Sequence, residues 1–396
     1  MFFQTLDDKK ECVGLYADGK LFFEDLPSDN LTHTWKPTAS FSNEDVEYAW
    51  IRAQGKELNE ASPPAVKEDL ERATRRLGAY LKAFKLGKIN LREHCFFDLV
   101  PYDFLMEYCE IKNKISKHVF NNYPKPPNYG HLVRIQKLLQ KIKNQNLNID
   151  ATNCKELFLA STQRKTVNNL LNGPSHINYN LFGTITGRLT TSPNSFPILT
   201  LKKEFRKLIK PCNDWLLSLD YNGAEVRTLL ALSQQKQPDT DIHTWNIQNI
   251  FGGASTSRDE AKTMFFAWLY NPDSSSIETS YYDREKVLKR WYHNNTIETP
   301  FKRQIKVDER KAFNYLIQST TADLVLERAV EIDNFLKDKQ SFISHIVHDE
   351  IVIDLANEDR HEIAEIKSIF SNNKLAKYMV NLQCGKNYLE LKELKL

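Results

Sequence analysis

Residues 344–355, SHIVHDEIVIDL, set two runs of β-branched and apolar residues on either side of His348, Asp349 and Glu350. Such residues fit extended, pleated backbone, so the segment predicts a hairpin whose turn carries acid. A second segment, WLLSLDYNGAEVRTLLALS at 215–233, begins as an apolar strand and continues as a helix, which leaves Asp220 at the strand's end. Taken singly, each has an ordinary explanation: an Asp at a strand-to-helix passage is usually a helix cap, and acids at a turn usually form a solvated tip. Taken together they imply more, because carboxylates on adjacent strands can hold two magnesium ions about 3.5–4 Å apart, the arrangement that serves in-line phosphoryl displacement.

The chain has 396 residues, beyond the roughly 250–300 at which a single core stops growing, so several subdomains are expected. Hydrophobic residues make up 41% and charged residues 27%, with mean hydropathy −0.52, and no stretch reaches the apolar length of a membrane span. The start, MFFQTLDDKKE, lacks the basic and apolar regions of a secretory signal, which places the protein in a cytoplasm. Cysteines at 12, 95, 109, 154, 212 and 384 form no close pair, so free thiols are expected and no zinc site or disulfide framework is indicated. Net charge is +3, compatible with nucleic acid only if basic residues are gathered locally. No repeat or low-complexity tract is present.

Along the first third, residues 10–26 read as two strands around an Asp18-Gly19 turn. A helix is expected from Pro64, carrying Lys82, Lys85 and Lys88 on its continuation. Residues 103–120 and 131–145 read as helices separated by the Pro-rich NNYPKPPNYG, a helical hairpin. Its lysines (112, 114, 117, 125, 137, 141 and 143), with Tyr123 and Tyr129 among them, suit a phosphate-tracking surface as well as an ordinary solvated one.

Between the two acidic segments lies SRDEAKTMFFAWLYNP, in which Arg258, Lys262, Phe266 and Tyr270 recur every four residues. That spacing drifts only about 40° per step around a helix, so the four share a face. Two cations followed by two aromatics suit a nucleotide's phosphates, sugar and base; an aromatic core stripe would give the same spacing.

These segments, in this order, resemble motifs A, B and C of the family A DNA polymerases, the family that includes bacterial DNA polymerase I. LDYNGAEVR is similar to DYSxxELR, RDEAKTMFFAWLYN to RxxxKxxxFxxxYG, and IVHDE to VHDE. GTITGRLTTSPN resembles the TxTGRLSS segment and DERKAFNYLIQSTTADL the RxxxNxxxQGxxAD segment. The resemblance covers roughly residues 100–396 and implies an α+β, right-hand fold. It assigns 101–170 to a thumb-like helical hairpin, 171–232 and 320–396 to a palm with an antiparallel sheet, and 233–319 to fingers, with 1–100 a reduced N-terminal region of no assigned role.

Carried over residue by residue, the resemblance makes Asp220 and Asp349 the ligands of two Mg²⁺ ions, with Mn²⁺ a substitute, and adds the Tyr221 carbonyl as a further metal contact. Glu350 would be a nearby acidic helper, and Lys262 the acid that protonates pyrophosphate. Arg258 and His243 would bind triphosphate oxygens, with Asp241 structural. Glu225 would close the space beside the sugar's 2′ carbon, favouring deoxynucleotides, and Phe266 and Tyr270 would complete that pocket. Arg188, Asn194, Arg310, Asn314, Gln318 and His348 would line the minor groove and primer terminus. Implied partners are primer–template DNA and dNTPs, with a monomer expected.

The sequence departs from the family pattern at Gly223 (usually Gln), Asn271 (Gly) and Ser319 (Gly). It lacks the usual QN in SPNSFPILTL, and the stretch between Tyr270 and Arg310 is short, as in trimmed fingers. Residues 1–100 hold no acidic cluster of the exonuclease type, so no proofreading is expected. Compact length and Lys/Asn-rich composition resemble a phage-encoded replicative enzyme. A single-subunit RNA polymerase lacks the glutamate gate at the Glu225 position. A non-catalytic DNA-binding relative would have no need of Asp220, Lys262 and Asp349.

Overall fold

The computed structural model describes residues 1–7, 14–23, 31–36, 46–91, 93–252, 257–271, 273–275, 277 and 279–396. The chain divides into two compact units, 1–144 and 145–396, and the division falls within the expected thumb-like span.

In the first unit, strands β1 (Phe3–Thr5), β2 (Leu15–Ala17) and β3 (Lys20–Phe22) form an antiparallel sheet. Asp18 and Gly19 both have positive φ, 47° and 74°, which is what a two-residue type I′ hairpin requires and why Asp-Gly is found in one. The outer parts of that expected hairpin, 10–13 and 24–26, lie outside the described residues. Helix α1 (Pro64–Leu86) carries proline at its first turn, where the missing N–H costs nothing. Helices α2 (Tyr102–Asn122) and α3 (Tyr129–Lys143) flank the Pro-rich break. Tyr16, Phe84, Phe104, Leu105 and Cys109 share one apolar cluster. The expectation of free thiols is met at Cys109, Cys154, Cys212 and Cys384 but corrected at Cys95, which is disulfide-bonded. Spacing along the chain carries no record of which thiols the fold brings together. Cys12 lies outside the described residues.

In the second unit, α4 (Ser161–Leu171) precedes strand β4 (Trp215–Tyr221), which organises the unit and is followed by helices α5 (Ala224–Leu232), α6 (Ile242–Asn249), α7 (Arg258–Tyr270) and α8 (Arg284–Trp291). Strands β5 (Tyr292–His293), β6 (Thr296–Glu298) and β7 (Gln304–Lys306) form a small meander before the long helix α9 (Glu309–Phe335). Then come hairpin β8 (Phe342–Val347) and β9 (Glu350–Leu355), helix α10 (Ile363–Ser371) and strands β10 (Val380–Gly385) and β11 (Lys392–Glu393). The main sheet runs β8-β9-β4-β10-β11, antiparallel throughout. The strand at Trp215–Tyr221 is therefore its centre, which explains why β4 reads as an almost continuous apolar run. Val226, Leu229, Phe265, Trp268, Val287, Ile297, Phe313 and Ile317 join α5, α7, α8, the meander and α9 in one core. The class is α+β, as expected.

Candidate active site

Side chains alternate across a strand, so Ser218 and Asp220 share one face of β4. Register places Glu350 of β9 opposite Asp220 on one side and Asn381 of β10 opposite it on the other. Asn381 Nδ2 donates to Asp220 Oδ2 at 3.4 Å. Glu350 is held at both oxygens, by Ser218 Oγ at 2.6 Å and by Tyr388 Oη at 2.6 Å. Val347 pairs with Glu350, so His348 and Asp349 alone make the hairpin loop, and His348 enters the left-handed region at φ 56°. Burial, followed by the charges of Asp349 and Glu350, pushes the Asp220 carboxyl up to about 7, with Asn381 and Lys262 opposing. Burial likewise raises Asp349. The Tyr221 ring is committed elsewhere: it stacks on Phe370 at 4.0 Å and its hydroxyl donates to the Phe370 carbonyl.

The strand-to-helix passage is built on Gly223, with φ 68° and an added Cβ only 2.4 Å from Ile242 Cγ2. A residue with a side chain would be strained twice over, by conformation and by contact, which accounts for this departure from the family pattern. Asn222 ties the passage to α6: its Oδ1 accepts from the Ile242 N–H at 2.8 Å and from Arg227 at 3.2 Å, and its Nδ2 donates to Asp241 at 2.7 Å. The fully buried Arg227 also donates to the carbonyls of Asn222, Pro238 and Thr240. It thus fixes the loop that delivers Asp241, the N-cap of α6 through the Thr244 N–H. His243, 3% exposed, has an unpartnered Nδ1, and burial with the nearby Arg258 lowers it to about 4.

Helix α7 opens with a capping box between Ser257 and Glu260, worth about 1 kcal/mol at the cap. Its buried stripe is Ala261, Phe265, Trp268 and Leu269, so the aromatics of the four-residue repeat are not the core stripe. Phe266 and Tyr270 stack at 6.1 Å. The Tyr270 hydroxyl lies 3.5 Å from Glu225 Oε2 and accepts from Gln318 at 3.3 Å. Arg188 pairs with the other Glu225 oxygen, and burial nevertheless raises the Glu225 carboxyl. Asn271 needs no left-handed conformation, with φ −101°, and the carbonyls of Trp268 and Asn271 accept from Arg284. Asparagine therefore serves where a glycine was expected.

One cavity of about 460 Å³ is lined by Asp220, Tyr221, Glu225, His243, Arg258, Lys262, Phe266, Tyr270, Arg188, His348 and Asp349 together. Of the expected DNA-contacting set, Gln318 stands one hydrogen bond behind it through Tyr270. Asn314 is half-buried with its Oδ1 unpartnered, Arg310 pairs with Asp273 in solvent and Asn194 is exposed. Glu350 is drawn into the sheet rather than the cavity. Asn381, Asn222 and Ser218 were missed by the sequence reading. The signal available was a polar residue interrupting an apolar strand, visible at Asn381 in YMVNLQC and at Ser218 in WLLSLD.

Two half-buried carboxylates sharing a cavity with Lys262 form a hard, anionic oxygen donor pair of the kind that suits a hard dication. Among the described residues no group of three or more His, Cys, Asp or Glu is placed to hold a metal ion by itself.

Residues 272–390 match the sequence model of DNA polymerase family A. The thermostable DNA polymerase I of Thermus filiformis is 28% identical over 276 residues, 56% of this chain and 33% of that protein. DNA polymerase I of Borreliella burgdorferi is 24% identical over 361 residues, 71% of this chain and 40% of that protein. The chain thus spans between a third and two-fifths of the length of these relatives. A solved POL domain of Pol1 from M. smegmatis, in complex with DNA primer-template and dNTP, superposes with TM-score 0.62 at 14% identity, covering 86% of this chain and 80% of that one. The fold is that of a DNA polymerase domain.

Proposed function

We propose that this chain is a family A, template-directed DNA polymerase that adds deoxynucleotides to a primer 3′-hydroxyl and releases pyrophosphate. The observation that carries this reading is the convergence of Asp220, Asp349, Lys262, Arg258 and Glu225 on one cavity, drawn from three separated segments. Mg²⁺ held by Asp220, Asp349 and the Tyr221 carbonyl would supply Lewis-acid activation and charge neutralisation when bound.

The chain's own groups do the rest. Arg258 binds triphosphate oxygens through its planar fork. His243, neutral at physiological pH, donates a hydrogen bond rather than a charge. Lys262 stands on the same helix face one turn on, positioned to give its proton to the leaving pyrophosphate. Phe266 and Tyr270 take up base and sugar by stacking. Glu225, fixed by Arg188 and the Tyr270 hydroxyl, fills the space a ribose 2′-hydroxyl would need. Arg188 and His348 line the cavity and would meet the primer terminus, with 171–232 and 320–396 serving as palm and 233–319 as fingers.

The test is extension of a labelled primer–template with Mg²⁺ and deoxy- or ribonucleotides, using wild type, Asp349→Ala and Glu225→Ala. Templated addition by wild type, its loss in Asp349→Ala and entry of ribonucleotides in Glu225→Ala are the expected results. Wild type that binds DNA without extending it would overturn the reading in favour of a non-catalytic relative.

A further inference from the structure

Arg258, the arginine at the mouth of the triphosphate-binding helix, is already engaged. Its Nε lies 3.1 and 3.2 Å from the two Asp241 oxygens and its Nη2 donates to Asp241 Oδ2 at 2.8 Å. Asp241 is itself fixed from two further directions, by Asn222 of the strand-to-helix passage at 2.7 Å and by the Thr244 N–H at the start of α6. Asn222 is two residues from Asp220 and its backbone N–H donates to the Met379 carbonyl, next to β10. A continuous hydrogen-bonded path therefore runs from the acid-bearing strand through Asn222 and Asp241 to Arg258 on α7. The carboxylate at its centre does not line the cavity itself, yet it pairs with the cavity-lining Arg258 and so neutralises the group that, on the polymerase reading, binds the ligand's phosphates.

Resting on the polymerase reading, we propose that Asp241 is a latch for the incoming triphosphate: it holds Arg258 until phosphate oxygens displace it, and it tunes nucleotide affinity downward. Capping α6 does not by itself require a negative charge, because Asn and Ser cap as well as Asp. Only the charge distinguishes them at Arg258, where a charged partner makes the stronger hydrogen bonds. The pair is partly exposed, 50% at Arg258 and 26% at Asp241. Its loss is therefore worth about a two- to fivefold change in affinity, the upper range for such pairs.

The variants are Asp241→Asn and Asp241→Ser, both keeping the cap. Inorganic tripolyphosphate is titrated into wild type and variants by calorimetry, and the KM and kcat of primer extension are measured alongside. About two- to fivefold tighter tripolyphosphate binding in both variants, with KM for dNTP falling by the same factor and kcat changing less, supports the latch. Equal or weaker tripolyphosphate binding in both, with thermal melts matching wild type, overturns it, because a purely structural Asp241 cannot improve affinity when removed. If wild type fails to extend primers at all, the polymerase reading falls while the tripolyphosphate titration still decides the latch.

Discussion

Asp323 is completely buried, and its partner Arg303, 9% exposed at the side chain, donates to it through Nε at 2.8 Å and Nη2 at 2.7 Å. Burial alone would lower the guanidinium's pKa; the Asp323 charge and hydrogen bonds outweigh it and raise it. The guanidinium also lies against Gly187, where an added Cβ would come within 2.5 Å of Nη2, and the next residue is the Arg188 that holds Glu225. Asp323→Ala would strand a buried cation, which costs about 3–5 kcal/mol. With a urea slope of about 3 kcal/mol/M, that is a fall of roughly 1 M or more in the unfolding midpoint.

The double variant Arg303→Met, Asp323→Leu removes both charges and fills the space, so its stability should return to within about 1 kcal/mol of wild type. Primer extension should not recover with it, because the plane beneath Gly187 is gone and Arg188 loses its setting. Urea unfolding of the two variants, with extension rates on the same preparations, tests both halves. An Asp323→Ala midpoint within about 0.3 M of wild type, or a double variant as unstable as the single, would refute the reasoning.

Gly223→Ala should lose about 1–2 kcal/mol to its left-handed backbone and more to the Ile242 contact. In thermal melts, a double-mutant cycle with Ile242→Ala, which removes the contacting Cγ2 methyl, should show the contact part as a favourable coupling while the backbone part remains, and no loss in Gly223→Ala would contradict the passage described. His345, fully buried with an unpartnered Nε2, is lowered to about 3 by burial and Arg206, and His243 to about 4. Both are depressed below the unfolded value, so their contribution is present above pH 6.5 and is lost as pH falls from there toward 4 and 3. Melting temperature should drop across that window, and His345→Leu should flatten the drop. An unchanged slope would remove His345 from the account.

What the sequence disclosed was whatever depends on neighbours in the chain. The β4-to-α5 passage, the hairpin around His348 and Asp349, the Asp18-Gly19 turn and the helix from Pro64 are all where local pattern puts them. The four-residue repeat in α7 correctly placed Arg258, Lys262, Phe266 and Tyr270 on one face, and the structure brings that face to Asp220 and Asp349. Glu350 reads as one more acid beside Asp349, yet antiparallel alternation turns it onto Ser218 and Tyr388. Tyr388 is 38 residues away, and no periodicity announces such a partner.

The same reasoning explains why the supports of the site were less legible than the site. A carboxylate's chemistry is a property of its type and can be read from a letter; its restraint is a property of distant partners. Arg303 and Asp323, Arg227 and the carbonyls of Pro238 and Thr240, Asn222 and Asp241 each join segments that local pattern treats as separate. Asp241 is the clearest instance. The sequence marks it only as a structural residue near His243, and the structure makes it the cap of α6. The charge that distinguishes it from a neutral cap acts on Arg258, 17 residues further on, and on the latch proposal it lowers the affinity for triphosphate. A cap that could have been neutral but sets its charge on Arg258 has, on the latch proposal, a use for that charge: it would set the threshold at which a triphosphate engages α7.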